Sequence, residues 1–401
     1  MAELVKLHFG EQQCWELSAE ACESIAPKHP NLGSEQLAEA VCDALREPIG
    51  FPSLDTAVIP GDTVVFALDP SVPRLPEILA AAIKWFSDRG ASLGNLSAVV
   101  AFPGTAAAEQ IRQHLADAGI SIEVHAHDAD DSEQIAYLAA NESSDAIYLN
   151  RRLVDADVVI PITCARLDSS LDGLGTFAVF PLLSDRKTRG RFYAFEKLRR
   201  EEKRTELREW SQQAGWWLGI LASVQVVPGV QGGVRSLYCG VADQLHEAVQ
   251  SAMSEDWAPP NELADVVVAL IDGPQYQQSW LSAARAMFSA SRLVRPGGSI
   301  VVCSEIDTPA GAGLKKLRQT DKTAEELAKQ LSNSDYDDAI AASVLLDATS
   351  DGHLFLASGL RKDSVESLRM GVVASQDELG RLVRSLNTCI IIESAQYAGC
   401  K

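Results

Sequence analysis

The chain has 401 residues, 46% of them hydrophobic and 22% charged, with a formal net charge of -20 and a sequence pI near 4.8. Such a surface would repel a phosphate backbone or an anionic bilayer, which argues against nucleic-acid and membrane partners. Eight cysteines are scattered without a C-x-x-C pair, so the expected setting is reduced and cytoplasmic. The opening MAELVKLHFG lacks the apolar core of a signal peptide, and no run approaches the ~20 apolar residues of a membrane span.

The length suggests two or three domains. Residues 3–18 alternate like a hairpin, and 34–45 carry the pattern of an amphipathic helix. Gly61 and Asp62 then form a turn before an apolar run at 63–68, and Asp69-Pro70 leads through two further prolines into a helical pattern over 75–89. The same rhythm continues with a strand at 96–102, a helix at 106–119, and strands at 122–128 and 158–162. Strands alternating with crossover helices predict an α/β fold with mainly parallel sheets. A long helix is expected over 192–214, a strand at 222–227 and a helix at 242–253. The mixed-sign run Arg186 to Arg208 reads as a solvated helix face.

The segment EDWAPPNE, 255–262, is the best linker candidate, because two adjacent prolines end a helix. This divides the chain into an N-terminal domain, 1–258, and a smaller C-terminal domain, 259–401. In the second part strands are expected at 266–271, 299–304, 354–358 and 388–393, with helices at 279–291, 323–330, 339–346 and 376–386. The last strand is a candidate to return to the first domain.

Four loops follow strands in this scheme: 69–73, 102–105, 163–168 and 272–278. Ligands of open parallel sheets bind outside the carboxyl ends of strands, so the cleft between the domains is the expected site. Asp69 reads either as a ligand contact there or as a helix cap. His125 and His127 alternate along one strand, a weak pattern for metal that more often belongs to solvated histidines. Six of the seven tryptophans, 85, 210, 216, 217, 257 and 280, sit on apolar faces or near the linker and read as core. RLVRPGGSIVV, 292–302, is similar to the late turn and strand of nucleotide-fold methyltransferases. No glycine-rich cofactor loop follows any strand, so PGG reads as a tight turn.

REPIGFPSL followed by FALDPSVPRLPEIL, then WWLGILASVQVVPGVQGGVRSLYCGVADQLHEA, and finally DVVVALIDGPQYQQSWLSAARAMFSASRLVRPGGSIVVCSE, together resemble the lactate racemase family. The resemblance covers most of the chain and lies more in the order of elements than in identical residues. It implies two α/β domains around a cleft and racemase or epimerase activity on 2-hydroxy acids or related compounds. It also implies a cofactor, a nickel ion held by a pyridinium mononucleotide with two sulfur-bearing arms, linked to a lysine and ligated by a histidine. Hydride loss from a carbinol carbon needs both that acceptor and a base poised near neutral pH.

Residue by residue, the family's first-loop aspartate is retained as Asp69, while its histidine and arginine fall on Pro70 and Val72. Its second-loop histidine falls on Pro103, and Thr176 or Phe177 stands where its cofactor lysine belongs. No histidine occurs between His127 and His246, so that region supplies neither the second catalytic histidine nor the nickel ligand. Gln278 is the retained contact of the second domain, and Ser71, Thr105, Arg166, Asp168 and Thr176 complete the candidate cofactor- or substrate-binding set. No metal ligands and no catalytic residue are assigned. Lys187, Arg166 and Asp168 are the nearest substitutes, but an arginine cannot act as a base at working pH. Two functions stay open: a racemase or epimerase with an altered active site, or an inactive relative that binds a small anionic ligand or a protein partner. Substrate and oligomeric state are not encoded in any pattern found.

Overall fold

Runs of apolar residues become strands here wherever both faces of a sheet are covered. VVFAL, Val64–Leu68, is buried at all five positions, as a central parallel strand must be. The computed structural model describes residues 4–18, 22–140, 146–173, 179–192, 194–254, 256–258, 260, 262–319, 321–350 and 352–399. In chain order its strands are β1 (Leu4–Phe9), β2 (Gln13–Ser18), β3 (Cys22–Ile25), β4 (Val64–Leu68), β5 (Leu96–Val100), β6 (Glu123–Ala126), β7 (Ile135–Ala140) and β8 (Ala146–Asn150). They continue with β9 (Val158–Cys164), β10 (Ser223–Pro228), β11 (Val234–Gly240), β12 (Ala264–Leu270), β13 (Val294–Cys303), β14 (His353–Ala357), β15 (Gly371–Val372) and β16 (Cys389–Ile392).

Two six-stranded sheets organise the chain. The first has the order β11-β10-β9-β4-β5-β6, parallel except for β11, which is antiparallel to β10. The second, β15-β14-β13-β12-β16-β3, is parallel throughout. Crossover helices Leu75–Ser87 and Thr105–Asp117 link β4 to β5 and β5 to β6. The α/β architecture with mainly parallel sheets is thus the one expected.

The crossing between the halves differs from expectation. The last strand stays in the second sheet, between β12 and β3, and it is the N-terminal segment that crosses over. Leu7, Phe9 and Leu17 of the β1–β2 hairpin pack on Val266, Val268 and Leu270, so one face of the second sheet needs the chain's beginning to be covered.

Four local expectations also change. The helix expected over 192–214 is split into Arg186–Phe192, Phe195–Leu198 and Glu201–Trp217, because Ala194 and Arg200 adopt extended backbone angles. Its basic run is not simply solvated, since Arg189 and Arg204 are buried. The expected linker is tied down: Trp257 is buried, and the Asp256 carboxylate accepts from the Lys28 amide and from Arg235. Trp85 and Trp257 are core, whereas Trp216 is 75% exposed.

Candidate functional site

The loop after β4 begins with Asp69, whose carboxylate is buried and surrounded by donors. One oxygen accepts from the amide and hydroxyl of Ser71, the other from the Cys164 amide at 3.2 Å and from Arg166 Nη1 at 3.2 Å. Arg166 also donates to the Ser71 hydroxyl and lies 3.3 Å through Nε from Asp172. Asp172 in turn receives Arg285, with Nε 3.0 Å from Oδ2. Two carboxylates and two guanidiniums therefore alternate in one buried chain, Asp69–Arg166–Asp172–Arg285, whose side chains are 3–7% exposed.

Burial pushes the Asp69 carboxyl upward, but the charges of Arg166 and Arg285 and the Ser71 hydrogen bonds outweigh it and hold it below its ordinary value. Asp172 behaves alike, with burial opposed first by Arg285 and then by Arg166. Burial pushes the neighbouring Cys164 thiol up to about 12, which leaves it protonated and unreactive. Asp69 does not cap the following helix, whose N-cap is Arg74; its carboxylate is paired with Arg166.

Arg285 belongs to the helix Trp280–Ser291 of the second half, so this network joins the two halves. Gln277 joins them again, donating through Nε2 to the carbonyls of Pro70 and Val72 at 3.0 Å each. Tyr397 adds a third link by donating its hydroxyl to the Ser71 carbonyl at 2.9 Å. Gln278, the residue singled out from the sequence, instead stays within its own half. Its Oε1 accepts from Ser304 and from the Glu305 amide, and its Nε2 donates to the Gly273 carbonyl.

Beside this region lies a cavity of about 730 Å³ between the halves. One wall is the start of the helix Thr105–Asp117 with Phe102 and Pro103 before it; the other carries Tyr276, Trp280 and Tyr336. Gly104 is required where that helix leaves β5: an added Cβ would lie 2.5 Å from the Ala101 carbonyl and 2.7 Å from that of Val100. Thr105 and Gln278 line the cavity, while Asp69, Ser71, Arg166 and Asp168 are not among its lining residues. Asp168 is engaged elsewhere, 3.2 Å from His246 Nε2 and 2.9 Å from Arg208 Nη2. Thr176 and Phe177 lie outside the described residues.

The cavity rim carries a second set of charges. Arg186 pairs with Asp130 of the first half and, through Nη1 at 3.1 Å, with Asp337 of the second. Arg189 also pairs with Asp337 and stacks 4.3 Å from the centroid of the Phe102 ring. Aspartates 307, 335, 337 and 338 line the same space, so carboxylates outnumber guanidiniums.

His127 is the one histidine among the described lining residues, and it is buried. Its Nε2 lies 2.9 Å from the Ser184 carbonyl, which can only accept, so Nε2 carries the proton; Nδ1 accepts from Asn150 at 3.1 Å. Burial, helped by the nearby Arg189 charge, lowers its pKa and keeps the ring neutral. Sequence patterning paired His127 with His125, but the two are separate: His125 stands half-buried beside Glu123. A nickel-pincer nucleotide does not fit these residues. The stretch 172–181 holds no lysine to attach it, the cavity imidazole has both nitrogens engaged, and no three His, Cys, Asp or Glu residues converge on a metal-sized space among the described residues.

Residues 10–166 match the family model described as the lactate racemase N-terminal domain. The chain's fold is similar to that of the lactate racemase apoprotein from Thermoanaerobacterium thermosaccharolyticum, with a TM-score of 0.76 and 16% identity over 99% of both chains. It is also similar to a Thermotoga maritima protein, with a TM-score of 0.63 and 13% identity over 92% of this chain and 99% of that one. No curated protein sequence matches it. No helix among the described residues is long and apolar enough to cross a membrane.

Proposed function

We propose that this lactate racemase-like protein retains the cleft as a small-molecule binding site and has lost the pincer-dependent racemisation of 2-hydroxy acids. The observation that carries this reading is the state of His127. A neutral ring that donates to Ser184 and accepts from Asn150 has no lone pair left for a substrate hydroxyl or a metal. The loop that would present Asp69 to a substrate supports it, since that carboxylate is spent on Arg166 and Ser71.

The walls suggest the ligand class. Phe102, Tyr276, Trp280 and Tyr336 offer aromatic surface in a volume suited to a small organic molecule. An anion as small as lactate would have to displace Asp337 from Arg189 against a surplus of carboxylates, so a neutral aromatic compound is favoured over the small anionic ligand.

The test begins with protein co-expressed with the cofactor-making enzymes of the family. The expected result is an unmodified intact mass, no bound nickel, and no opposite enantiomer formed from L-lactate or L-phenyllactate. Covalent mass with nickel, or racemisation of either acid, would restore the enzyme reading. In thermal-shift titrations indole should stabilise the protein and lactate should not, with the indole effect lost in Trp280→Ala. A shift with lactate alone overturns the choice of ligand.

A further inference from the structure

Cys22 and Cys389 are register partners on the adjacent parallel strands β3 and β16. Neighbouring strands run about 4.8 Å apart, which falls inside the ~4.4–6.8 Å window of Cα separations that a disulfide accepts. Register partners present their side chains on one face, and both cysteines pack against the same cluster with Trp15 and Ile391. We propose that Cys22 and Cys389 form a redox-active dithiol that closes to a cross-strand disulfide under thiol-oxidising conditions.

The two positions divide the work. Cys22 is half-buried at the edge of the sheet and reachable by a small oxidant, whereas Cys389 is buried behind it. The neighbouring Cys389 holds Cys22 below its ordinary pKa, while Cys22 and burial push Cys389 above its own. The attacking and resolving roles follow from that asymmetry. With glutathione disulfide as oxidant, the Cys22 thiolate attacks one sulfur, breaks the glutathione S–S bond and releases one glutathione thiolate. Cys389 then loses its proton and attacks the Cys22 sulfur of the mixed disulfide, releasing the second glutathione. Two protein thiols are oxidised, one glutathione disulfide is reduced, and the two thiol protons pass to the two glutathione thiolates.

Among the described residues no other two cysteines are register partners. Cys14 is exposed and its sulfur sits 3.9 Å from His8 Nε2, while Cys164, Cys239 and Cys303 are buried at separate places. The bond would have a structural consequence, because among the described residues β16 is the strand that pairs β3 to the second sheet. Closing it would fasten the chain's N-terminal crossing covalently to the last strand.

The experiment treats the full-length protein with glutathione disulfide, quenches it with acid, and counts thiols after denaturation. The count should fall by two, the intact mass by about 2 Da once glutathione is removed, and non-reducing peptide mapping should join the Cys22 and Cys389 peptides. Cys22→Ser, at a half-buried edge position, should abolish the linkage, and Cys14→Ser should leave it intact. An unchanged thiol count, a stable glutathione adduct on Cys22 without closure, or a linkage between other cysteines would each overturn the proposal.

Discussion

Besides the single Arg199–Asp347 pair, two networks of arginine–aspartate contacts bridge the halves of this protein, and they differ in depth. The inner set, Asp69–Arg166–Asp172–Arg285, is almost wholly buried and balanced in charge. The outer set, Asp130–Arg186–Asp337–Arg189, lies at the cavity rim, where Asp130 is 56% and Asp337 33% exposed. A buried network cannot open without stranding charges in a medium that solvates them poorly, whereas rim pairs exchange readily with water and salt. The halves are therefore tied more firmly at the base than at the mouth. Residues that a ligand-binding reading drew into the site, Asp69, Ser71 and Arg166, belong to the fixed part.

The two networks should differ most at Arg285. Arg285→Ala leaves Asp172 with only the shared Arg166, and the expected loss is about 3–5 kcal/mol of unfolding free energy by chemical denaturation. The double variant Asp172→Leu with Arg285→Met removes one charge of each sign and leaves Asp69 with Arg166. Its loss should be clearly smaller than that of Arg285→Ala alone. If Arg285→Ala costs less than about 1 kcal/mol, the inner set is no more than a surface pair in its energetics.

The same network predicts an acid limb. Asp69 and Asp172 have lowered folded pKa values, so their contribution is present above the unfolded value of about 3.9 and is lost as pH falls through the folded values. Asp272 opposes this trend. Burial raises its pKa despite hydrogen bonds from Ser394 and Gln396, so its contribution is present below the unfolded value and lost as pH rises through the folded one. Stability measured against pH should fall steeply below about pH 4 in the wild type and less steeply in the double variant, which lacks one of the two lowered carboxylates. Equal slopes would mean that Asp172 is not ionised in the folded protein.

Much of the frame was legible because strands such as Val64–Leu68 and the helices that follow them carry their periodicity locally. What escaped was set by distant partners. Cys22–Ile25 is four residues without alternation, and it is a strand only because β16 offers it an edge. The helix over 192–214 was overextended because the mixed-charge pattern runs on through the extended residue Arg200. At the site, the strand ends put Asp69 and Arg166 in loops of one expected cleft, but no local pattern says that the two neutralise each other. Arg285 left a readable trace, a lone cation inside the apolar helix WLSAARAMFSAS. The QYQQ loop left none, since adjacent glutamines look alike until one reaches Pro70 and the other its own loop.

The smallest effect belongs to the rim, and it separates the two sets by their response to salt. Asp337 faces both Arg186 and Arg189, so Asp337→Asn removes two ion pairs at once while keeping the side chain's shape. Because Asp337 is a third exposed, the expected loss is only about 0.2–1 kcal/mol at low ionic strength. At ~1 M salt the Debye length shrinks to about 3 Å, and the difference from wild type should largely vanish. The inner variant should respond little to the same change, since Asp172 and Arg285 are out of contact with the ions. Asp337→Asn also removes one negative charge from beside Arg186 and Arg189, so an anion such as lactate should gain in thermal-shift response relative to wild type. A salt-independent loss in that variant would place the rim pairs with the inner network, and the mouth of the cavity would then be as fixed as its base.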